Sequence, residues 1–278
     1  GWAIERNWVL FSPGVVPVLF MTTLAYTNPG DKVLIQTPVY PPFYDAVTKN
    51  NRQLVFNPLI QVGNRYEIDF NDLDQKLAGT KMMFLSNPHN PVGRVWTKDE
   101  LLEIGRLCLK HHVILISDEI HCDLVYNAYK HIPAAGLSPE IADITVTCLA
   151  SSKTFNTAGL STSNVVISNP TLRSKLEGII QSVHVDSGNL FGSIASEAAY
   201  THGNEWHKQL IDYLQGNVNL VRSFLQDKLP EVKLIEPEAT YLLWLDFREL
   251  GLSQPELVKL MIGKARLGLN DGTAFGTE

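Results

Sequence analysis

No run in this sequence stays apolar long enough to cross a bilayer. The hydrophobic opening stretch Val9–Met21 is broken by Ser12, Pro13, Gly14 and Pro17, whereas a spanning helix needs about 20 apolar residues. An excess of positive charge is missing too. Against 29 Asp and Glu stand 23 Lys and Arg, a net charge of −6, which argues against nucleic acid as a partner. The one basic cluster, Lys110-His111-His112, falls at the end of a helical pattern, where the helix dipole favours cations. Cysteine is scarce and unpatterned: Cys108, Cys122 and Cys148 form no C-x-x-C pair and leave an odd number. Reduced thiols and a cytoplasmic location are therefore expected, not a disulfide framework. His111, His112, His121 and Cys122 match no recognised zinc spacing, so no metal is expected. Glu5 and Arg6 interrupt the amino end, and no signal-peptide pattern is read there.

What is present is strand and helix alternating, within a composition 45% hydrophobic and 19% charged that suits a sizeable core. Short apolar runs predict strands at Trp8–Leu10, Lys32–Gln36, Gln53–Asn57, Lys81–Leu85, Val113–Ser117, Ile144–Leu149 and Asn164–Ser168. Helical patterns lie between them at Val15–Tyr26, Pro42–Asn50, Asp69–Leu77 and Lys98–His111. From Thr171 the pattern turns helical, through Gln181, Ile194–Thr201 and a long run from Glu205 to Leu229. Strands Val232–Ile235 and Tyr241–Phe247 and a helix Pro255–Ala265 close the chain. This order predicts an α/β fold: a mostly parallel sheet between helices, followed by part of a smaller α/β domain. The divisions expected are 1–204 for the large domain, 205–230 for a connecting helix and 231–278 for the small domain.

Three polar residues follow three of the predicted strands. Asn90 stands in Asn87-Pro88-His89-Asn90-Pro91, Asp118 in Ser117-Asp118-Glu119-Ile120-His121, and Lys153 in Ser151-Ser152-Lys153-Thr154-Phe155-Asn156. Ligands of parallel α/β sheets bind at the carboxyl ends of the strands, so an amide, a carboxylate and an amine are brought toward one small molecule. Pyridoxal phosphate needs that set: a lysine for its aldehyde, an acid for its ring nitrogen and a donor for its phenolic oxygen.

With Phe11-Ser12-Pro13-Gly14-Val15-Val16-Pro17, Thr37-Pro38-Val39-Tyr40-Pro41-Pro42-Phe43, Asn87–Arg94, Asp118–His121, Ser152–Asn156 and Asn270-Asp271-Gly272, the chain resembles the class I/II aminotransferase superfamily of pyridoxal-phosphate enzymes, fold type I. Within it the likeness is to the cystathionine β-lyase (cysteine-S-conjugate β-lyase) branch. The segments occur in family order across nearly the whole chain. The resemblance implies a seven-stranded, mostly parallel sheet sandwiched by helices. It also implies a homodimer whose active site lies at the subunit boundary.

Carried onto this sequence, the resemblance makes Lys153 the cofactor-holding and proton-moving amine. A lysine alone on a loop would read as solvated; the company of Asn90 and Asp118 changes that reading. Asp118, closing an apolar strand, needs a partner for its carboxylate, and a protonated ring nitrogen is one. Its other reading, shared with Glu119, is a helix or turn cap. Asn90 is assigned to the phenolic oxygen, whereas Asn87 marks a turn. Gly14, Val15 and Val16 precede or open a helix, whose free N–H groups suit a phosphate, and Ser151 or Ser152 adds a hydroxyl. Tyr40 is placed to stack on the ring, with core packing as its alternative. His121 either hydrogen-bonds near the phenolic oxygen or packs. The stretch Ala158–Ser163 contains no cation, where many aminotransferases have an arginine for the phosphate.

The expected reaction is β-elimination from an amino-acid thioether such as cystathionine or a cysteine conjugate, giving a thiol, pyruvate and ammonia. The finer motifs resemble the β-lyase branch more than the general aminotransferases: Ser12–Pro17, Pro38–Phe43, Asp118-Glu119-Ile120-His121, and Ala199-Tyr200-Thr201-His202-Gly203 with Glu205-Trp206. Amino transfer shares the same three residues and is the alternative. A non-catalytic regulatory module is a third reading. The resemblance also implies an amino-terminal arm and a carboxy-terminal segment beyond this sequence, the latter bearing the arginine that grips a substrate carboxylate.

Overall fold

The computed structural model describes residues 2–276. A short strand, β1 (Val9–Ser12), leads into α1 (Val15–Tyr26). Then come β2 (Lys32–Ile35), α2 (Pro42–Thr48), β3 (Gln53–Phe56) and a hairpin of β4 (Ile60–Val62) and β5 (Arg65–Glu67). Next are α3 (Phe70–Leu77), β6 (Thr80–Ser86), α4 (Lys98–His111), β7 (Ile114–Asp118), α5 (Pro139–Asp143), β8 (Thr145–Leu149) and β9 (Ser163–Val166). The remainder is α6 (Pro170–Ser182), α7 (Leu190–His202), α8 (Asn204–Lys228), β10 (Lys233–Ile235), β11 (Trp244–Asp246) and α9 (Gln254–Lys259).

Seven strands make one sheet in the order β1-β9-β8-β7-β6-β2-β3. β8, β7, β6, β2 and β3 pair in parallel, and β9 runs against both of its neighbours. The central strands are apolar almost without interruption because helices bury both faces. On one face α1, α2 and α6 pack over Val33, Ile35, Phe84, Ile116 and Val146. On the other, α3 and α4 pack over Leu34, Met83, Leu85 and Leu115. α1 is apolar almost all round; α6, α2 and the sheet cover the face bearing Val18 and Leu19, which are essentially inaccessible, while Leu24 on the opposite side is exposed.

The helices begin where local chemistry says they should. Asp69 accepts hydrogen bonds from the N–H groups of Asn71 and Asp72 at the start of α3. Thr97 and Glu100 form a reciprocal capping box on α4, satisfying two N–H groups that the helix leaves unpaired. Asn169 caps α6, which has Pro170 in its first turn.

β10 and β11 form a separate antiparallel pair against α8, with Ile211, Val218, Leu225 and Leu234 in a third apolar cluster. The chain then returns to the large sheet's end of the molecule. Phe275 O accepts hydrogen bonds from Val39 N–H (2.8 Å) and from the Tyr44 hydroxyl (2.8 Å).

Candidate active site

The register of β6, β7 and β8 sets Ser86 opposite Asp118 and Asp118 opposite Cys148. These neighbouring strands therefore finish in one row. Backbone bonds extend the row past the strands: Asn87 N–H donates to Asp118 O and Glu119 N–H to Cys148 O, both at 2.9 Å. Asn90 and Lys153 follow the two flanking strands, and this arrangement brings them to the same cavity as Asp118. The cavity has a volume of about 330 Å³ and is lined by Gly14, Val15, Val16, Tyr40, Asn90, Asp118, His121, Ser152 and Lys153, among others.

Ser151 is not among the lining residues. Its hydroxyl shares hydrogen bonds with those of Ser196 (2.8 Å) and Thr157 (3.3 Å), so only Ser152 of the two serines faces the cavity.

Asp118 is 7% exposed, and its carboxylate accepts one hydrogen bond, from Ile120 N–H at 3.1 Å. Burial, and then the charge of Glu119, outweigh that bond and the nearby Lys153 ammonium, so the pKa rises to about 7. A poorly compensated carboxylate facing a cavity is suited to a cationic guest. His121 is buried as well. Burial, aided by Lys153, holds its pKa down at about 4, so its ring is neutral at physiological pH. Its Nδ1 lacks a partner among the described residues, and the ring meets Tyr241 edge-on at 5.8 Å.

Asn90 is held through its backbone. Its N–H donates to Ser86 Oγ (3.1 Å), and its carbonyl accepts from Tyr40 N–H (3.2 Å). His89 reinforces the link between the two loops by donating from Nε2 to Pro38 O at 2.8 Å. The buried Asn90 Oδ1 has no partner among the described residues, so the amide remains available to the cavity. Lys153 is half-buried and likewise makes no hydrogen bond or ion pair among the described residues.

The opening of α1 has no side-chain cap. Its first N–H groups, those of Val15 and Val16, have no partner within the helix, and Pro17 has none to offer. Gly14 has φ 163°, an extended backbone open to any residue. A Cβ there would make ordinary contact with Pro17 at 3.4 Å, so the fold itself does not demand glycine. Its small size leaves the approach to the two N–H groups open.

Tested against the group expected from the sequence, these residues fit. An unpartnered amine, an undercompensated buried carboxylate, an unspent amide and an uncapped helix N-terminus are the complement of pyridoxal phosphate. Tyr40, half-buried at the cavity wall, is positioned for contact with a ring. Among the described residues no arginine lines the cavity, so the α1 dipole and the hydroxyls of Ser152 and Ser161 are the resources they offer a phosphate.

Several lining residues escape sequence reasoning. Ser86 and Ile120 flank residues already singled out. Tyr241 and Leu242 instead arrive from the far side of the fold. Thr240 takes a left-handed φ of 71° and bends the chain into the cavity. Its N–H donates to Leu124 O (2.7 Å), and its carbonyl accepts from the Tyr126 hydroxyl (2.9 Å). The only available signal was the polar break Glu238-Ala239-Thr240 ahead of the apolar run. Asn270 lies in a quoted motif, yet nothing in the sequence placed it on this wall.

Comparison with known proteins gives the family. The family described as "Aminotransferase class I and II" matches residues 2–278. "Cystathionine beta-lyase PatB" of Bacillus subtilis (strain 168) is 46% identical over 99% of this chain and 72% of its own length. A solved PLP-bound putative aminotransferase from Clostridium difficile 630 superposes with a TM-score of 0.97 at 42% identity, covering 99% of this chain and 71% of that one. Cystalysin from Treponema denticola, whose structure contains pyridoxal 5'-phosphate, also gives a TM-score of 0.97, at 36% identity over 99% of this chain and 70% of its own. The chain belongs to the class I and II aminotransferase family.

Proposed function

We propose that this protein is a pyridoxal-phosphate-dependent carbon–sulfur β-lyase that cleaves cystathionine or related L-cysteine S-conjugates to a thiol, pyruvate and ammonia. The observation that carries the reading is the single cavity shared by the free amine of Lys153, the buried carboxylate of Asp118 and the amide of Asn90. The similarity to a named cystathionine beta-lyase along 99% of the chain selects the reaction type.

Bound there, pyridoxal phosphate supplies an aldehyde that captures amines and a ring that draws electrons away from Cα. The residues have distinct tasks. Asp118, desolvated, would hold a proton on the ring nitrogen. Asn90 would donate to the phenolic oxygen, Val15 and Val16 N–H would take the phosphate, and Tyr40 would cover the ring. With the group bound, Lys153 would remove the proton from the substrate's Cα. The Cβ–S bond would break with its electron pair leaving on sulfur, which takes up a proton as the thiol, and solvent water would hydrolyse the released aminoacrylate to pyruvate and ammonia. With its pKa held near 4 by burial, His121 is neutral at physiological pH, so it serves as a hydrogen-bonding or packing group and adds no charge beside Lys153.

Amino transfer is the second reading, favoured by the solved putative aminotransferase at 42% identity. It would use the same residues and differ in that Lys153 would deliver the proton elsewhere and no thiol would be expelled. The assay that separates the two supplies pyridoxal phosphate and L-cystathionine, following thiol, pyruvate and keto-acid-dependent amino transfer together. Equal amounts of thiol and pyruvate without added keto acid are expected. Amino transfer without thiol would make the protein an aminotransferase, and no turnover at all would leave the regulatory-module reading.

The assembly we infer is a homodimer with the site at the subunit boundary. α7 buries only Gly192, while Leu190 is 72% and Phe191 74% exposed, and adjoining exposed apolar side chains mark contact surfaces. Among the described residues no helix is long and apolar enough to cross a membrane. The three cysteines are free thiols, which supports a cytoplasmic location. Residues 1–204, 205–230 and 231–278 are offered as large domain, connecting helix and small-domain portion.

A further inference from the structure

Lys153 has no partner of its own among the described residues, so its placement falls to the residues on either side. Thr154 follows it and is 1% exposed. The Thr154 hydroxyl donates to Asp123 Oδ2 at 3.2 Å. Asp123 belongs to the other catalytic loop, five residues after Asp118 and two after His121. The same Oδ2 accepts the Tyr200 hydroxyl of α7 at 3.0 Å. The Asp123 carbonyl accepts from His207 Nε2 of α8 at 2.6 Å. One residue therefore joins both loops to both helices.

The backing of the Lys153 loop is equally specific. The Phe155 ring meets Tyr200 edge-on at 5.5 Å and lies 5.6 Å from Trp206 and 6.4 Å from His207. Gly203 makes this approach possible, since a Cβ there would come within 2.6 Å of Phe155 and 2.3 Å of Ala199 O. On the near side of Lys153, Ser151 pairs with Ser196 at 2.8 Å. Ser196 and Tyr200 are four residues apart, hence on one face of α7. The Ala199–Gly203 and Glu205-Trp206 motif thus sits where α7 and α8 close on the Lys153 loop.

We propose that Asp123 is a positioning residue: its carboxylate fixes the Lys153 loop against the loop bearing Asp118 and His121, with Tyr200 and His207 holding it in place. The inference rests on the reading of Lys153 as the acting amine. Bonds from hydroxyls to a carboxylate are stronger than those between neutral groups. Where the pairing of Ser151 with Ser196 ties the loop ahead of Lys153, this acceptor ties it just after. The cost of losing it is expressed as misplacement, to which catalysis is steeply sensitive.

The test uses the protein loaded with pyridoxal phosphate and the variants Asp123→Ala, Asp123→Asn and Thr154→Val. Measured together are kcat, KM, the pH dependence of the cofactor's visible absorbance and the thermal midpoint. Asp123→Ala is expected to lower kcat on the order of 30-fold, with KM within about threefold, and to shift the pH midpoint of the absorbance. Asp123→Asn retains an oxygen acceptor for the two hydroxyls and is expected to recover most of the loss. Thr154→Val removes one hydroxyl at constant shape and is expected to lower kcat about tenfold and to shift the absorbance in the same direction. It decides the matter if Asp123→Ala does not fold. Unchanged kcat and absorbance in Thr154→Val, or a fall explained wholly by a lower thermal midpoint, would overturn the proposal. Absence of the visible band in the unaltered protein would instead sink the functional reading beneath it.

Discussion

The strand side of the cavity and the helical side differ in how far the chain satisfies itself. Along β6, β7 and β8, Met82, Phe84, Ile116 and Val146 are sealed between layers. The loops leaving those strands are tied by backbone bonds and by the fully buried Arg94, which pairs with Glu238 and Glu100. Glu238 also accepts Val95 N–H at 2.7 Å, fastening the segment that carries Tyr241 to the loop that carries Asn90. On α7, by contrast, apolar side chains face outward and a single glycine is buried. Substitution on the strand side should therefore damage chemistry or folding. On the outer face of α7 it should damage association.

The sharpest way to break this contrast is Lys153→Ala. The side chain is half-buried and unpartnered, so turnover should fall by about 1,000-fold or more with the unfolding midpoint unchanged. A matching loss of stability would show that Lys153 belongs to the framework.

Asp118→Asn should lower turnover about 100-fold and, unusually for a buried site, stabilise the cofactor-free protein. Burial raises this carboxyl from 3.8 to about 7 in the folded state. The folded protein then binds the proton more tightly than the unfolded chain. The stabilisation is complete below about pH 4 and is lost as pH rises through 7. The amide has no such loss, so the gain should appear above pH 7, at most about 4 kcal/mol, and vanish near pH 4. Urea unfolding at the two pH values reads it directly.

Arg94→Met tests the framework itself. Removing one partner leaves Glu238 buried beside Arg65 alone, which should cost about 3 kcal/mol in urea unfolding. A cost below about 1 kcal/mol would show that Arg65 alone suffices to compensate the buried Glu238.

The smallest effect on folding is expected at α7. Phe191→Glu should change unfolding free energy by no more than about 0.5 kcal/mol, yet convert the dimer we infer to a monomer by light scattering. A mass unaffected by the substitution would remove the outer α7 face from the interface.

Much of the strand side was legible because burial on two faces writes itself as apolar runs. α1 spans Val15–Tyr26 as its pattern predicts, and β7 is displaced by a single residue, which makes Asp118 the strand's last member. The β4–β5 hairpin is not among the predicted strands, although Gly63-Asn64 between Gln61-Val62 and Arg65-Tyr66 is a two-residue turn signal. The run Tyr241–Phe247 contracts to Trp244–Asp246 because Thr240 reverses the backbone ahead of it. α7 begins at Leu190, where Asn189 caps it through Gly192 N–H, four residues before the predicted start. Asp123 and Tyr241 were illegible for a common reason: each acts through partners distant in sequence, which no local pattern announces.

The most direct test of the central claim is to load the protein with pyridoxal phosphate, reduce it with borohydride and locate the modified residue by peptide mass spectrometry. The account predicts a single pyridoxyl adduct on Lys153, absent in Lys153→Ala. An adduct on any other lysine, or its persistence in that variant, would contradict it.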